Sequence, residues 1–185
     1  MSLEPTQYRT VARLLHWGMA ILVLAMIAAG LLMVRDGLDR SLQNALFIFH
    51  KNTGVALLVL ALVRLAYRWR RPPPPLPAHV PRWQALAAGA SHATLYTLMI
   101  AMPIAGYTRV KAGGFPIETL DAAGLPALVP RSEALAGTAK LIHGYGGYVI
   151  TAVIAVHVLA ALFHRLIRRD GVFSRIWPPI APGTR

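Results

Sequence analysis

Cysteine is absent from this chain of 185 residues. Thiolates ligate iron–sulfur clusters and many zinc ions, and they anchor c-type haem covalently, so the sequence excludes these cofactors as well as disulfide bonds. Any metal or cofactor that the chain binds must therefore be held by nitrogen or oxygen ligands.

Charge is scarce too, and acidic residues are the scarcest. Only 14% of the residues are charged, with 7 acidic against 19 basic residues, whereas 56% are hydrophobic. The mean hydropathy of +0.51 lies outside the usual range of soluble proteins and predicts a membrane protein surrounded by lipid. The basic residues are clustered between long apolar runs, which is typical of topology signals, so the net charge of +12 does not predict a nucleic-acid partner.

Four apolar runs are long enough to cross a bilayer, which takes about 20 helical residues. They predict membrane spans at 14–34, 43–67, 83–107 and 141–164. We therefore expect an all-α integral membrane four-helix bundle that forms a single domain over residues 1–185.

The basic residues predict the orientation of this bundle. Five arginines occur from Arg64 to Arg82 and four from Arg165 to Arg175, whereas acidic and basic residues are nearly balanced in the other two connections. Because short cytoplasmic loops carry the excess of lysine and arginine, we expect both termini in the cytoplasm.

Histidine provides the candidate chemistry. Six of the seven histidines fall in or at the edge of the spans, namely His16, His50, His92, His143, His157 and His164. Ionisable residues inside a membrane are rare and usually functional.

The spacing of two histidines on the fourth helix predicts a pair of sites. His143 and His157 are 14 residues apart, close to four turns, which puts them on one face and about 21 Å apart along the axis. The topology brings His50 to the depth of His143 and His16 to the depth of His157; we call these the outer pair and the inner pair. Two imidazoles that face each other from different helices suit a haem iron with both axial positions filled, so we expect two stacked b haems.

Other residues near these pairs have open interpretations. His92 and His164 lie in the inner half and are candidates for the surroundings of a haem or a quinone, or for interhelical hydrogen bonds, and His92 is an alternative axial ligand to His16. Three arginines on the same side are candidates to pair with haem propionates, although topology signals explain them equally well: Arg13, Arg64 and Arg68. Glycines near the ligands predict either room for a planar group or ordinary helix packing: Gly18, Gly54, Gly144, Gly146 and Gly147.

Several of these segments resemble the bacterial cytochrome b561 family of the inner membrane. The resemblance rests on Leu15-His16-Trp17, on the segment from Phe49 to Gly54, on the segment from Ser91 to Tyr96, and on the intervals from His143 to His157 and His164. It implies that His16, His50, His143 and His157 are the haem ligands, in agreement with the topological pairing.

The resemblance also implies a function. The stand-alone four-helix members are of the superoxide oxidase type, so we expect a superoxide:quinone oxidoreductase that takes electrons from superoxide outside and reduces ubiquinone, without an acid–base catalytic residue. Lys51, Arg109 and Lys111 are candidates to steer superoxide, or are solvated loop charges.

Two other functions are compatible with the sequence. One is an electron-carrier cytochrome b subunit for a dehydrogenase or hydrogenase. The short loops offer little room for contacts with a partner protein, and the sequence does not require one. The other is a histidine-lined transporter of protons or metal ions, which would expose carboxylates inside the membrane. The predicted spans contain no carboxylate.

Overall fold

A computed structural model describes residues 7–180, so the two ends of the predicted domain 1–185 lie outside the described residues. These residues form helices and no strand. The helices are α1 (Thr10–Leu32), α2 (Arg40–Arg70), α3 (Arg82–Ala112), α4 (Glu118–Ala122) and α5 (Glu133–Phe163), and α5 continues into a π-helical turn (His164–Arg168) that precedes a 3-10 turn (Phe173–Arg175).

Four helices, α1, α2, α3 and α5 with its π-helical turn, are long and apolar enough to cross a membrane. The predicted all-α membrane bundle is confirmed. Three of the helices extend beyond the predicted spans at both ends, because charged residues that stop an apolar run do not stop a helix; α5, for example, begins at Glu133 instead of 141. The first helix, in contrast, ends at Leu32, before the predicted 34.

Side-chain caps define where two of the long helices begin. The Asp39 carboxylate accepts hydrogen bonds from the amides of Leu42 and Ser41, at 3.1 and 2.9 Å, and these bonds lower the pKa of Asp39. The Ser132 hydroxyl accepts from the amide of Leu135 at the start of α5. Both caps satisfy backbone donors that have no partner within the helix.

The helices pack in chain order, α1 against α2, α2 against α3, and α3 against α5. A core cluster of Met19, Leu57 and Ala61 joins the first two helices, and Met99 and Ile100 of α3 pack against it. In contrast, α5 has no extensive backbone packing with α1 or α2. Histidine side chains of α1 and α2 meet those of α5 across that gap.

The outward faces of the bundle are apolar, as in a lipid environment. Aromatic side chains lie near both ends of the spans, with Trp69 and Trp83 exposed at the basic end and Tyr145 and Tyr148 exposed on the opposite half of α5. Tryptophan and tyrosine favour the membrane interfaces because their rings are amphipathic.

The segment after the π-helical turn folds back onto the start of α1 and the proline-rich connector. The Tyr8 amide donates to the Arg175 carbonyl and the Trp17 indole donates to the Ile176 carbonyl, both at 3.0 Å. The buried Arg175 guanidinium donates to the Pro75 carbonyl at 3.0 Å. The basic end is therefore closed by contacts between segments far apart in the sequence.

Candidate functional site

The outer pair joins α2 to α5. The ring centroids of His50 and His143 are 5.9 Å apart and the ring planes are inclined by 79°. His143 Nδ1 lies 3.0 Å from the Met102 carbonyl oxygen. Because a carbonyl oxygen only accepts hydrogen bonds, Nδ1 carries the proton. The lone pair of Nε2 is therefore available to coordinate a metal ion.

The rings of the outer pair pack closely against two glycines. A Cβ atom added to Gly106 of α3 would lie 3.0 Å from His143 Cε1, and one added to Gly30 of α1 would lie 3.1 Å from His50 Cε1. Both separations are tighter than ordinary contacts, so each ring occupies space that only glycine leaves open. His50 Nδ1 is buried next to the Met26 backbone of α1, outside the strict limits of a hydrogen bond.

The inner pair joins α1 to α5 and has a third imidazole beside it. The His16 and His157 centroids are 6.3 Å apart, and the His92 and His157 centroids are 5.4 Å apart. Arg64 Nη2 lies 3.0 Å from His16 Nδ1. Because a guanidinium only donates, His16 Nδ1 accepts this bond.

The ring separations test whether these residues fit a haem iron. Metal–imidazole bonds of about 2.0–2.1 Å, with about 1.1 Å from nitrogen to ring centroid, require centroids about 6.2 Å apart. The outer pair, at 5.9 Å, and the inner pair, at 6.3 Å, both fit this requirement. The separation between His92 and His157, at 5.4 Å, fits less well, which favours His16 as the partner of His157.

The two sites repeat one interval on all four spanning helices. Each spanning helix has two site residues that are 14 positions apart: His16 and Gly30, His50 and Arg64, His92 and Gly106, and His143 and His157. We call His16, Arg64, His92 and His157 the inner layer, and Gly30, His50, Gly106 and His143 the outer layer. Gly30 and Gly106 were not predicted, but extending the interval from α5 to the other helices would have found them.

The glycines that were predicted have other surroundings. A Cβ atom on Gly146 would collide with the Met102 sulfur, so this glycine lets α5 approach α3. A Cβ atom on Gly54 would meet the Met26 methyl group at an ordinary 3.6 Å. Gly18, Gly144 and Gly147 have no neighbouring atom within 4 Å of such a Cβ atom.

The three arginines predicted to pair with propionates lie at the inner end, and none forms an ion pair within residues 7–180. Arg64 and Arg68 stack over the Tyr96 ring, with guanidinium carbons 5.6 and 5.9 Å from its centroid. Arg13 is only 2% exposed, and its Nε has no partner among the described atoms. The geometry thus leaves cationic groups available for carboxylates beside the inner pair.

The cations predicted to steer superoxide are largely neutralised. Lys51 Nζ lies 2.6 Å from Glu118 Oε1, and Lys111 is paired with Asp121. Arg109 alone among the three predicted cations has no acidic partner in the described part of the chain. The prediction of a continuous positive path from Lys51 is therefore not supported by the geometry.

The Lys51–Glu118 pair is part of a junction between α2 and α4. The Asn52 amide donates to Glu118 Oε2 at 2.7 Å, and its oxygen accepts from the Thr119 amide at 2.9 Å. Burial acts to raise the pKa of Glu118, but the hydrogen bonds from Lys51, its own backbone amide and Asn52 outweigh this effect and lower the pKa. The outer connection is thus tied to the turn of α2 that follows His50.

His164 lies at the inner end beyond the inner pair. Its Nδ1 is 2.6 Å from Asp170 Oδ2, and the Asp170 carbonyl lies 3.2 Å from His79 Nε2. Neither His79 nor Asp170 was singled out from the sequence. They come from a connector and a tail whose relative positions depend on the fold.

Comparison with known proteins agrees with this geometry. The family described as "Prokaryotic cytochrome b561" matches residues 7–179. "Cytochrome b561 homolog 2" of Escherichia coli (strain K12) is 32% identical over 173 residues, which cover 93% of this chain and 92% of that protein. "Probable superoxide oxidase CybB" of Yersinia pestis is 32% identical over 171 residues, covering 89% and 92%. "Cytochrome b561 homolog 1" of Escherichia coli (strain K12) is 33% identical over 129 residues, covering 70% and 73%. The chain therefore belongs to the prokaryotic cytochrome b561 family and is a membrane electron-transfer protein that binds haem b.

Proposed function

We propose that this protein holds two b haems, one at the outer pair and one at the inner pair, and uses them to oxidise superoxide outside and to reduce ubiquinone inside. The bundle lies in the bacterial inner membrane with both termini in the cytoplasm. The observation that carries the proposal is the presence of two cross-helix imidazole pairs, with centroids 5.9 and 6.3 Å apart, on one face of α5. The relative named "Probable superoxide oxidase CybB" supports the choice of substrate.

The overall reaction is balanced without an acid–base catalytic residue. Two superoxide anions each lose one electron and become dioxygen, while one quinone gains two electrons and two protons and becomes a quinol. The bound haems would supply two one-electron carriers between these reactions. The interval of 14 residues places the two levels of α5 about 21 Å apart, so each ligand pair serves one side of the membrane.

The side chains of the outer pair have a positioning role. The hydrogen bond from His143 Nδ1 to the Met102 carbonyl fixes the ring and directs Nε2 toward the ligand position. The two rings pack against Gly30 and Gly106, where a side chain would crowd them. Arg109, without an acidic partner among the described residues, attracts the superoxide anion or pairs with a propionate.

The inner pair requires one rearrangement. A His16 ring that binds iron through Nε2 carries its proton on Nδ1, and this proton is incompatible with the donor bond from Arg64. We propose that Arg64 then turns to a haem propionate, with Arg13 and Arg68 completing the cationic surroundings. His92 and His164 contribute to the quinone side of the same end.

The test combines a haem assay with a superoxide assay. The purified protein is placed in lipid nanodiscs, and its haem-to-protein ratio and reduced-minus-oxidised spectrum are measured. Superoxide from xanthine and xanthine oxidase is then added with or without a short-chain ubiquinone, and superoxide dismutase serves as the control.

Two low-spin haems that are reduced by superoxide and reoxidised by quinone are expected. Two haems that do not respond to superoxide would support an electron-carrier subunit instead. Absence of haem would contradict the proposal altogether.

A further inference from the structure

The π-helical turn at the end of α5 brings together a histidine and a carboxylate that the electron path does not use. His164 Nδ1 and Asp170 Oδ2 are 2.6 Å apart, and their side chains are only 14% and 5% exposed. π-Helical turns are rare and occur mostly at functional sites.

The Asp170 carboxylate has two further contacts. Its Oδ1 accepts from the Val172 amide at 3.2 Å, and Arg168 Nε lies 3.8 Å from its Oδ2, whereas His79 contacts only the backbone carbonyl of Asp170. Burial acts to raise the pKa of Asp170, but the hydrogen bonds from His164 and Val172 outweigh this effect and lower the pKa. The Asp170 carboxylate is thus ionised at neutral pH. It can only accept a hydrogen bond, and His164 Nδ1 is the donor.

The other charged groups near His164 are basic. His164 lines a surface pocket of about 450 Å³ together with Arg165, Arg169 and Ser174. Arg165 stacks over Phe173, and Arg169 Nε donates to the Leu166 carbonyl, so neither competes for the Asp170 carboxylate. His164 therefore has one carboxylate partner and an open pocket through which water can reach it.

His164 is also close enough to the inner layer to serve it. It follows His157 by seven residues, which is two turns on the same face and about 10 Å along the axis. A carboxylate that holds one imidazole nitrogen fixes the tautomer and stabilises the imidazolium, so the other nitrogen becomes an efficient proton donor.

We propose that Asp170 is a positioning residue that makes His164 the proton donor for quinone reduction at the inner end. The inference rests on the proposed function, because it needs a quinone that is reduced there. The bound haems would supply two electrons for each quinone, and two protons are taken up. In each of two successive steps His164 Nε2 gives one proton to a quinone oxygen, Asp170 stays ionised, and His164 regains its proton from water in the pocket.

The experiment isolates this step from superoxide chemistry. The holoprotein in nanodiscs is reduced with dithionite, and reoxidation by a short-chain ubiquinone is followed at the haem absorbance by stopped flow at neutral pH. The variants are Asp170→Asn, His164→Gln, the double variant, and His79→Gln. His79→Gln is the matched control because His79 contacts only the backbone of Asp170.

General acid catalysis contributes about 10²–10⁴-fold, so we expect His164→Gln to slow reoxidation about 100-fold. Asp170→Asn is expected to slow it about 10-fold, since His164 Nδ1 loses the carboxylate that orients the ring. The double variant should equal His164→Gln, and His79→Gln should equal the unaltered protein.

Equal rates for the unaltered protein and Asp170→Asn would overturn the inference. An equal slowing by Asp170→Asn with and without His164 would also overturn it, because a purely structural role would persist without the imidazole. Unchanged haem spectra establish that the variants fold, and Asp170→Glu, which restores a carboxylate, is expected to recover part of the rate.

The two proposals fail differently. If superoxide does not reduce the haems but the quinone step depends on His164 and Asp170, the proposed electron donor is wrong and the proton donor stands. If quinone does not reoxidise the unaltered protein, both are overturned.

Discussion

The outer and inner layers use equivalent positions on the same four helices but hold different side chains. The outer layer has two imidazoles and two glycines, whereas the inner layer has three imidazoles and an arginine. The His143 ring is hydrogen-bonded to a backbone carbonyl, while the His16 ring contacts a guanidinium. The outer layer is thus a closed pair fixed by packing, and the inner layer has additional groups that can carry charge or protons.

The two ends of the bundle also differ in how many of their cationic side chains have an acidic partner. At the outer end, Lys51 and Lys111 are paired with the carboxylates of α4. At the inner end, Arg13, Arg64 and Arg68 have no acidic partner in the part of the chain that the structure describes. Proton-coupled chemistry needs such mobile or charged groups, whereas simple electron transfer does not. The difference supports the proposal that quinone is reduced beside the inner layer.

The largest expected effect is the loss of a haem. His50→Ala should remove the outer haem and halve the haem-to-protein ratio, because the outer layer has no third imidazole. His16→Ala should retain part of the second haem with an altered spectrum, because His92 lies beside His157. Haem content and low-temperature spectra measure both effects.

A control completes this comparison. The double variant His16→Ala with His92→Ala should bind only one haem. If His16→Ala and His50→Ala lose equal amounts of haem, His92 does not replace His16 as a haem ligand in the inner layer.

A smaller effect is expected from crowding the outer pair. In Gly106→Ala the new methyl group lies 3.0 Å from His143 Cε1, so the ring must shift. Residues that orient metal ligands typically change affinity about 10–100-fold, and we expect about a 10-fold loss of haem affinity at the outer site. Haem titration of the apoprotein measures this loss.

Gly54→Ala is the matched control, because its methyl group meets the Met26 methyl at an ordinary distance of 3.6 Å. If the two alanine variants bind haem with equal affinity, the close packing of the His143 ring against Gly106 does not control haem binding at the outer site.

Removing the cation of the inner layer should change a redox potential without removing haem. The positive charge of Arg64 favours the reduced haem, so Arg64→Gln should lower the midpoint potential of the inner haem by about 60 mV, a tenfold change in a one-electron equilibrium. The outer haem should keep its potential. Spectroelectrochemical titration resolves the two components.

Lys51→Gln combined with Glu118→Gln provides the comparison at the outer end. Because the two side chains form a neutral ion pair, their joint removal should move neither potential by more than a few millivolts. An equal shift in the two variants would contradict the contrast between the ends.

The smallest expected effect concerns the α2–α4 junction. Exposed ion pairs contribute about 0.2–1 kcal/mol, so Glu118→Gln should leave the unfolding temperature nearly unchanged. Because the pKa of Glu118 is lowered in the folded state, its contribution is present above the ordinary value of 4.5 and is lost as the pH falls through the lowered pKa. Protection of the Thr119 amide from hydrogen exchange, measured relative to an unfolded peptide at the same pH, should fall over this acidic range.

Glu118→Gln should show the lower protection already at neutral pH. Protection that persists in acid would mean that the Asn52–Thr119 hydrogen bonds hold α4 without the carboxylate.

The transmembrane architecture followed from the sequence because a bilayer imposes a length and a polarity on each span. The pairing of histidines also followed, since alternating helix direction fixes which residues share a depth. His92 shows the limit of this argument. Depth alone did not choose between His16 and His92 as the partner of His157, and the ring separations of 6.3 and 5.4 Å were needed to favour His16.

The charged loops were less predictable than the spans. Lys51 looked like a free cation beside a ligand, yet Glu118, 67 residues later, neutralises it. Short-range patterns do not identify such partners, because loop geometry sets them.

The sequence by itself determined four spans and two levels of histidine, because hydrophobic length and the helical repeat act locally along the chain. Only the tertiary structure decided the environment of each imidazole. The Met102 carbonyl, the closeness of Gly30 and Gly106, and the Asp170 carboxylate come from distant parts of the chain, and their roles exist only once the helices have packed.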